Sequence, residues 1–400
     1  MSLQNNPPTG NHFYDAPVWL VGFRPFFIAT CISGALLPLL WVLVVSGVVS
    51  LPKPFFNPVN DGLHWHQHEM FFGFGWALLG GFLLTATKNW VEIRGRHGLI
   101  LAILVALWLL DRIVMAYGGD WPRLMIYAAS LPFIVAIIAL LEIDLLSHRA
   151  NDSYPDNVYF ILGLPLFVVA KLAMLDSHLD PTIGASMALA LFRLCFLLML
   201  ERTLAGFMKG VFGLTLRRIP WMDHTIKSLG FLLVFAYWLP TGIQTGACLL
   251  LAALLMIRWL YWHPFKALRR IDVGVMYLGY LAIISNLVIQ GLLPVDTRLT
   301  SSMAIHVFTL GAIGLIAPAM IVRISNGHTG RKVSFQMSDK LAIYLMLGAL
   351  AARVLLPLIA PDRYVAWLML SALCWLVAFT IIGTRYTPML LKPRVDGRVH

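Results

Sequence analysis

The chain has 400 residues, 59% of them hydrophobic and only 12% charged, whereas a soluble domain covers its surface with about 25% charged residues. With a mean hydropathy of +0.79, this excludes an ordinary soluble enzyme and points to an all-α, polytopic transmembrane helix bundle. The net charge of +11 does not imply a nucleic-acid partner, because the basic residues fall in short loops between apolar runs instead of forming one patch.

Residues 1–23 are mostly polar, and Met1 to Pro17 has no basic residue ahead of the first apolar run, which argues against a cleaved signal peptide. Apolar runs of about 20 residues, each able to cross ~30 Å of hydrocarbon, predict about twelve spans. They lie at 24–49, 66–90, 98–117, 122–147, 156–177, 183–209, 227–244, 247–265, 273–293, 300–325, 338–359 and 363–385. A basic tail follows at 386–400. No linker splits the chain, so residues 1–400 read as a single integral membrane domain lying in the lipid bilayer, without an internal repeat. Cys31, Cys195, Cys248 and Cys374 each sit in an apolar run with no CxxC spacing, as small buried residues do.

Loop charge predicts the orientation. Even-numbered loops carry Lys88, Arg94 and Arg96, then Lys209, Arg217, Arg218 and Lys227, then Lys266, Arg269 and Arg270, then Arg331, Lys332 and Lys340. Odd-numbered loops are poorer, so both termini are expected to be cytoplasmic. Trp65, Trp90, Trp259 and Trp262 near span ends suit interfacial belts.

Polar groups inside a bilayer are costly and are functional candidates for that reason. The strongest group opens the second span: His64-Trp65-His66-Gln67-His68-Glu69. Neutral imidazole is the commonest transition-metal ligand, and haem iron takes axial histidine. On a helix His64 and His68 lie on one face at i, i+4. His66 points away with Glu69, Met70 and Gly73, so the cluster addresses two directions. His306, about six residues into the tenth span, is predicted at similar depth on the same, non-cytoplasmic side, with Gly311 and Gly314 allowing close approach. His328 lies between glycines in Gly327-His328-Thr329-Gly330-Arg331, a pattern that suits an anion, a metal or a plain helix end. Asp111, Arg112, Lys171, Arg193, Glu201 and Arg353 are intramembrane charges expected to pair inside the bundle.

Several motifs together resemble the NnrS family of membrane haem-copper proteins. Gly22-Phe23-Arg24-Pro25-Phe26-Phe27 matches its GFRPFF. His66-Gln67-His68-Glu69-Met70, with Gly81-Phe82-Leu83-Leu84-Thr85-Ala86 and Asn89-Trp90, is similar to its WHAHEM…AGFLLTA…NW. His306, Gly311, Gly314, Arg323 and the GHTGR stretch resemble the tenth span and its exit. The chain departs from the family at Met276-Tyr277-Leu278-Gly279-Tyr280, where Tyr277 replaces the histidine of an LHxGY element, and it lacks the GGRxIPFFT stretch. The resemblance implies a bacterial inner-membrane protein with haem b and copper as cofactors, nitric oxide or a similar small molecule as ligand, and an electron donor as partner. It implies ligand roles for His66, His68, His306 and His328. His64, Glu69 and Tyr277 are further metal-ligand candidates, and Arg24, Arg112 and Arg323 are candidates for neutralising propionates. Whether nitric oxide is converted, as by an oxidoreductase, or only bound does not follow from the residues. A transporter of metal, haem or a small anion and a non-catalytic sensor or accessory subunit are the rival classes. The haem-copper oxidases are excluded, because their copper ligands lie on spans six and seven, which contain no histidine here.

Overall fold

A computed structural model describes residues 12–51, 53–56, 58–176 and 178–398, without the side chains of 58–62. Residues 1–11 of the polar N-terminal segment, and His400, lie outside the described residues. Every regular element among the described residues is helical. In chain order the long helices are α1 (Phe23–Val45), α2 (Leu63–Trp90), α3 (Leu99–Asp120), α4 (Arg123–Ser147), α5 (Pro155–Leu175) and α6 (Pro181–Phe212). A shorter helix, α7 (Pro220–Leu232), follows. Then come α8 (Thr241–Tyr261), α9 (Ile271–Leu292), α10 (Ser301–His328), α11 (Met337–Ile359) and α12 (Pro361–Leu390). All but α7 are long and apolar enough to cross a membrane. The protein is a polytopic helical membrane protein.

Eleven such helices stand where the sequence predicts about twelve. The difference is the run at 227–244. There α7 stops at Leu232, and a 3-10 stretch, Leu233–Trp238, contains a non-helical residue at Phe235. Pro240 then holds Leu239 extended (φ −86°, ψ 141°), as proline does to the residue before it.

Local chemistry sets the other ends. Asp180 caps α6 by accepting from the Thr182 N–H at 2.9 Å, with Pro181 at the first position. At the far end Gly213 adopts φ +67°, and the N–H groups of Gly213 and Leu214 return to the carbonyls of Lys209 and Met208. Thr300 caps α10 through the Met303 N–H.

Two compact units emerge from the packing. The first comprises Met1–Lys171, Ile321–Ser334 and Phe379–His400, and the second Leu172–Met320 and Phe335–Ala378. In the first unit α2 is the enclosed helix, 83% buried over its apolar window against 39% for α1 and 33% for α3. In the second α6 takes that place at 89%. The best-covered helices are therefore those that carry the chemically useful side chains.

The four tryptophans expected in interfacial belts are packed inside the protein. Trp65, Trp90, Trp259 and Trp262 are all buried. The indoles of Trp259 and Trp262 donate to the carbonyls of Tyr277 and Arg217. Trp221, Tyr237, Trp238, Tyr117 and Tyr344 are among the exposed rings. Sequence position alone does not separate a tryptophan that anchors in the interface from one whose N–H satisfies a neighbouring carbonyl.

Candidate metal centre

The motifs of the first unit pack on one another. The Phe23 N–H donates to Thr85 Oγ1 at 3.0 Å, and a Cβ on Gly81 would strike Phe26. This closes α1 onto α2 and orients the histidine end of α2.

The three histidines then diverge as helical spacing predicts. His66 stacks on Trp41 of α1, with ring centroids 5.0 Å apart. His64 and His68 both flank Phe56, at 6.5 and 6.0 Å. His68 is completely buried. The Glu69 carboxylate accepts from its Nδ1 at 3.1 Å. A carboxylate only accepts, so Nδ1 carries the proton and the lone pair sits on Nε2. That Nε2 is buried and has no hydrogen-bond partner. An imidazole oriented by a carboxylate, with its other nitrogen bare in an apolar site, is the arrangement of a metal-bound histidine and its outer partner.

Glu69 was expected on the His66 face and instead serves His68. The reason is local: Glu69–Gly75 is a π-helical stretch inside α2. Its wider winding, and its i→i+5 bonding, change which side chains align and leave carbonyls for other donors. The Trp108 indole of α3 donates to Gly73 O at 3.0 Å. Arg112 reaches Glu69 Oε1 at 2.8 Å through the space that a Gly73 side chain would fill.

From Glu69 the contacts run on through buried charges. Arg112 also pairs with Asp111, which accepts from Lys171 at 2.6 Å and from the Ser130 hydroxyl. Lys171 lies 5.5 Å above the Phe72 ring, and the other neighbour of that ring is His68, at 5.3 Å. Two carboxylates and two cations therefore balance beside the histidine. Asp111, Arg112 and Lys171 pair as the sequence leads one to expect, and Arg112 is committed to protein carboxylates. Ser130 was not foreseen, since a lone serine in an apolar run carries no signal. We expect Gly73→Ala to push Arg112 off Glu69, at a cost of ~1–3 kcal/mol. A thermal melt in detergent reads this, and an unchanged Tm would show that Arg112 has room to move.

In the second unit His306 repeats the theme. Its Nδ1 donates to the Ser302 carbonyl at 2.7 Å, which leaves the lone pair of the neutral ring on Nε2. A π-helical stretch, Thr309–Ile313, begins three residues later. Arg353, on a third such stretch, donates to Ser302 Oγ at 2.8 Å. Gly311 and Gly314 do not leave open space, since they lie against Ala282 and Met346.

His328 returns to the first unit and packs against Phe23, 5.5 Å between centroids. Its carbonyl accepts from Arg394, and that of Thr329 from the Val395 N–H, so the basic tail folds over the GHTGR stretch. Arg394 also pairs with Asp396 and holds that carboxyl down at about 2. Arg24 is buried, and its Nη1 donates to the carbonyls of Leu390 and Lys392 at 3.0 and 2.7 Å. Its Nε is buried without a partner. Arg24 thus holds the end of α12 and retains one guanidinium edge. Arg323 is half-buried on α10.

Tyr277 is fully buried, and its hydroxyl donates to Trp262 O at 2.6 Å. It lies nine residues, about 14 Å along α9, from Asn286, the residue that bonds the turn carrying His306. The structure does not bring Tyr277 and His306 together. Among the described residues no three His, Cys, Asp or Glu side chains converge as a metal-ion cage, so copper finds no ready-made ligand set there. Haem needs only one or two axial nitrogens, and the buried Nε2 of His68, which has no hydrogen-bond partner, is a nitrogen of that chemistry.

The family model described as NnrS protein matches residues 17–394. The chain belongs to the NnrS family. Membership makes it a membrane protein of a haem- or metal-associated family linked to the nitric oxide response. A search of curated proteins found no match. The motifs that resemble the family fall in both units: Arg24, His66, His68 and the GHTGR stretch in the first, and His306, Gly311 and Gly314 in the second.

Proposed function

We propose that this NnrS protein is a haem b protein of the bacterial inner membrane that binds nitric oxide, or converts it with an electron donor, and so protects against nitrosative stress. The observation that carries the reading is His68, with Nδ1 on Glu69 and a buried Nε2 that no protein group satisfies. His68 is the residue that would hold the iron, and His306, with its Nδ1 on the Ser302 carbonyl, is a second candidate. His66, stacked on Trp41, and His328, packed on Phe23, are further candidates. Ferrous haem, when bound, would supply the iron that takes nitric oxide. The chain's own part is to orient the imidazole through Glu69, to fix the Glu69 side chain by pairing it with Arg112, and to exclude water with Phe56 and Phe72. The freed edge of Arg24 suits a propionate.

The test is the visible spectrum and metal content of the purified protein, titrated with nitric oxide. A Soret band that shifts with nitric oxide, and is lost in His68→Ala, is the expected result. Purified protein that takes up no haem, or a His68→Ala variant with the parental spectrum, would overturn the reading. Nitric oxide consumption with a reductant, compared with free haem, separates conversion from binding.

A further inference from the structure

The second unit contains a cation that its surroundings do not neutralise. Arg193 sits on α6 and is 2% exposed. Its Nη1 donates to Asn286 Oδ1 at 2.9 Å and to Gln290 Oε1 at 2.6 Å, both on α9. These partners are neutral amides. Among the described residues no carboxylate pairs with Arg193, Nε is buried with no partner, and Nη2 makes no hydrogen bond. Nε and Nη2 form one edge of the guanidinium, the fork that takes two oxygens of a carboxylate or oxyanion side by side.

Three other deep cations are treated differently. Lys171 and Arg112 face Asp111, and Arg258 meets Glu201 at 2.9 Å and Asp223 at 3.3 Å. A charge left bare in a low-dielectric interior costs several kcal/mol, and intramembrane ionisable groups generally mark ligand or ion sites. The position is informative too. Asn286 Nδ2 donates to Ala304 O at 2.8 Å, two residues before His306 on α10. On the same turn Arg353 bonds Ser302 and, among the described residues, likewise has no carboxylate partner. Two cations and no anion serve the His306 turn.

We propose that Arg193, held by Asn286 and Gln290, is an anion seat in the second unit, and that it binds a carboxylate or a small planar oxyanion beside the His306 turn. The seat stands apart from the assignment of His68 as an iron ligand. Its occupant is either a carboxylate of a bound cofactor or a free anion, and the two sources separate by experiment. Sodium nitrite is titrated into purified protein and read by calorimetry, and haem retained per protein is read by pyridine haemochrome. Both are repeated on Arg193→Gln and Gln290→Glu. The second variant keeps Arg193 and its Nη1 partner but supplies an internal counter-charge, so it removes the uncompensated charge that draws an anion to the seat.

If the anion is free, nitrite affinity falls about tenfold or more in both variants, the worth of a charged hydrogen-bond pair. If it is a cofactor carboxylate, nitrite has no effect on the parent, and haem retention falls in both variants by a similar factor. Should Gln290→Glu match the parent in both measurements, the proposal is overturned, whatever Arg193→Gln does. Because the parent's spectrum is recorded in the same samples, failure of the seat and failure of the haem reading are distinguishable.

Discussion

Replacing Glu69 with glutamine is expected to weaken haem retention by ~10- to 100-fold while leaving the helices in place. The amide still accepts from His68 Nδ1, but it no longer carries the charge that makes Nε2 a strong donor to a metal. It also removes one of the two ionic partners of Arg112, which reaches Glu69 at 2.8 Å and keeps Asp111. Transfer of haem from the purified protein to an excess of apo-globin measures the effect as a rate. His68→Ala should show no retained haem on that iron position at all. A Glu69→Gln protein that holds haem as tightly as the parent would mean that the carboxylate is only structural.

The largest stability effects belong to the buried charges beyond Glu69. Lys171 and Asp111 are both wholly buried and 2.6 Å apart. Lys171→Met removes one of the two cations that face Asp111, and Asp111→Asn strips Lys171 of its carboxylate. Each should cost ~3–5 kcal/mol, because breaking a buried pair leaves a charge without compensation. The double variant removes both charges together and should recover most of the loss. A double-mutant cycle from thermal or denaturant unfolding in detergent reads the interaction energy directly. Costs that simply add would show that the two side chains act independently, contrary to the geometry.

The sequence made parts of this architecture easy to read and hid others, for identifiable reasons. Apolar runs announce membrane helices because hydrocarbon thickness sets their length. The i, i+4 spacing of His64 and His68 announced their common face, borne out by their shared neighbour Phe56. Glu69 was misplaced because regular helical geometry was extended through a π-helical turn whose stability depends on Trp108 and Arg112, forty residues or so along the chain. Arg24 reads as a free cation, since its partners are backbone carbonyls and carry no residue signature. Arg193 was expected to pair inside the bundle and does so with Asn286 and Gln290, which look in sequence like ordinary polar residues. Tyr277 stands in the slot of a family histidine, and only the fold shows that its hydroxyl is already used.

The bond from Arg24 to Leu390 spans 366 positions of sequence. On a ribosome making 5–20 residues per second, the arginine is therefore made roughly 20 to 70 s before its acceptors. Through that interval the first helix enters the membrane with a cation whose acceptors do not yet exist, and its final placement waits for the last helix to arrive. Assembly of the first unit is thus a closing event at the end of translation. A fusion or truncation at the carboxyl end would then be felt first at the opposite terminus of the chain.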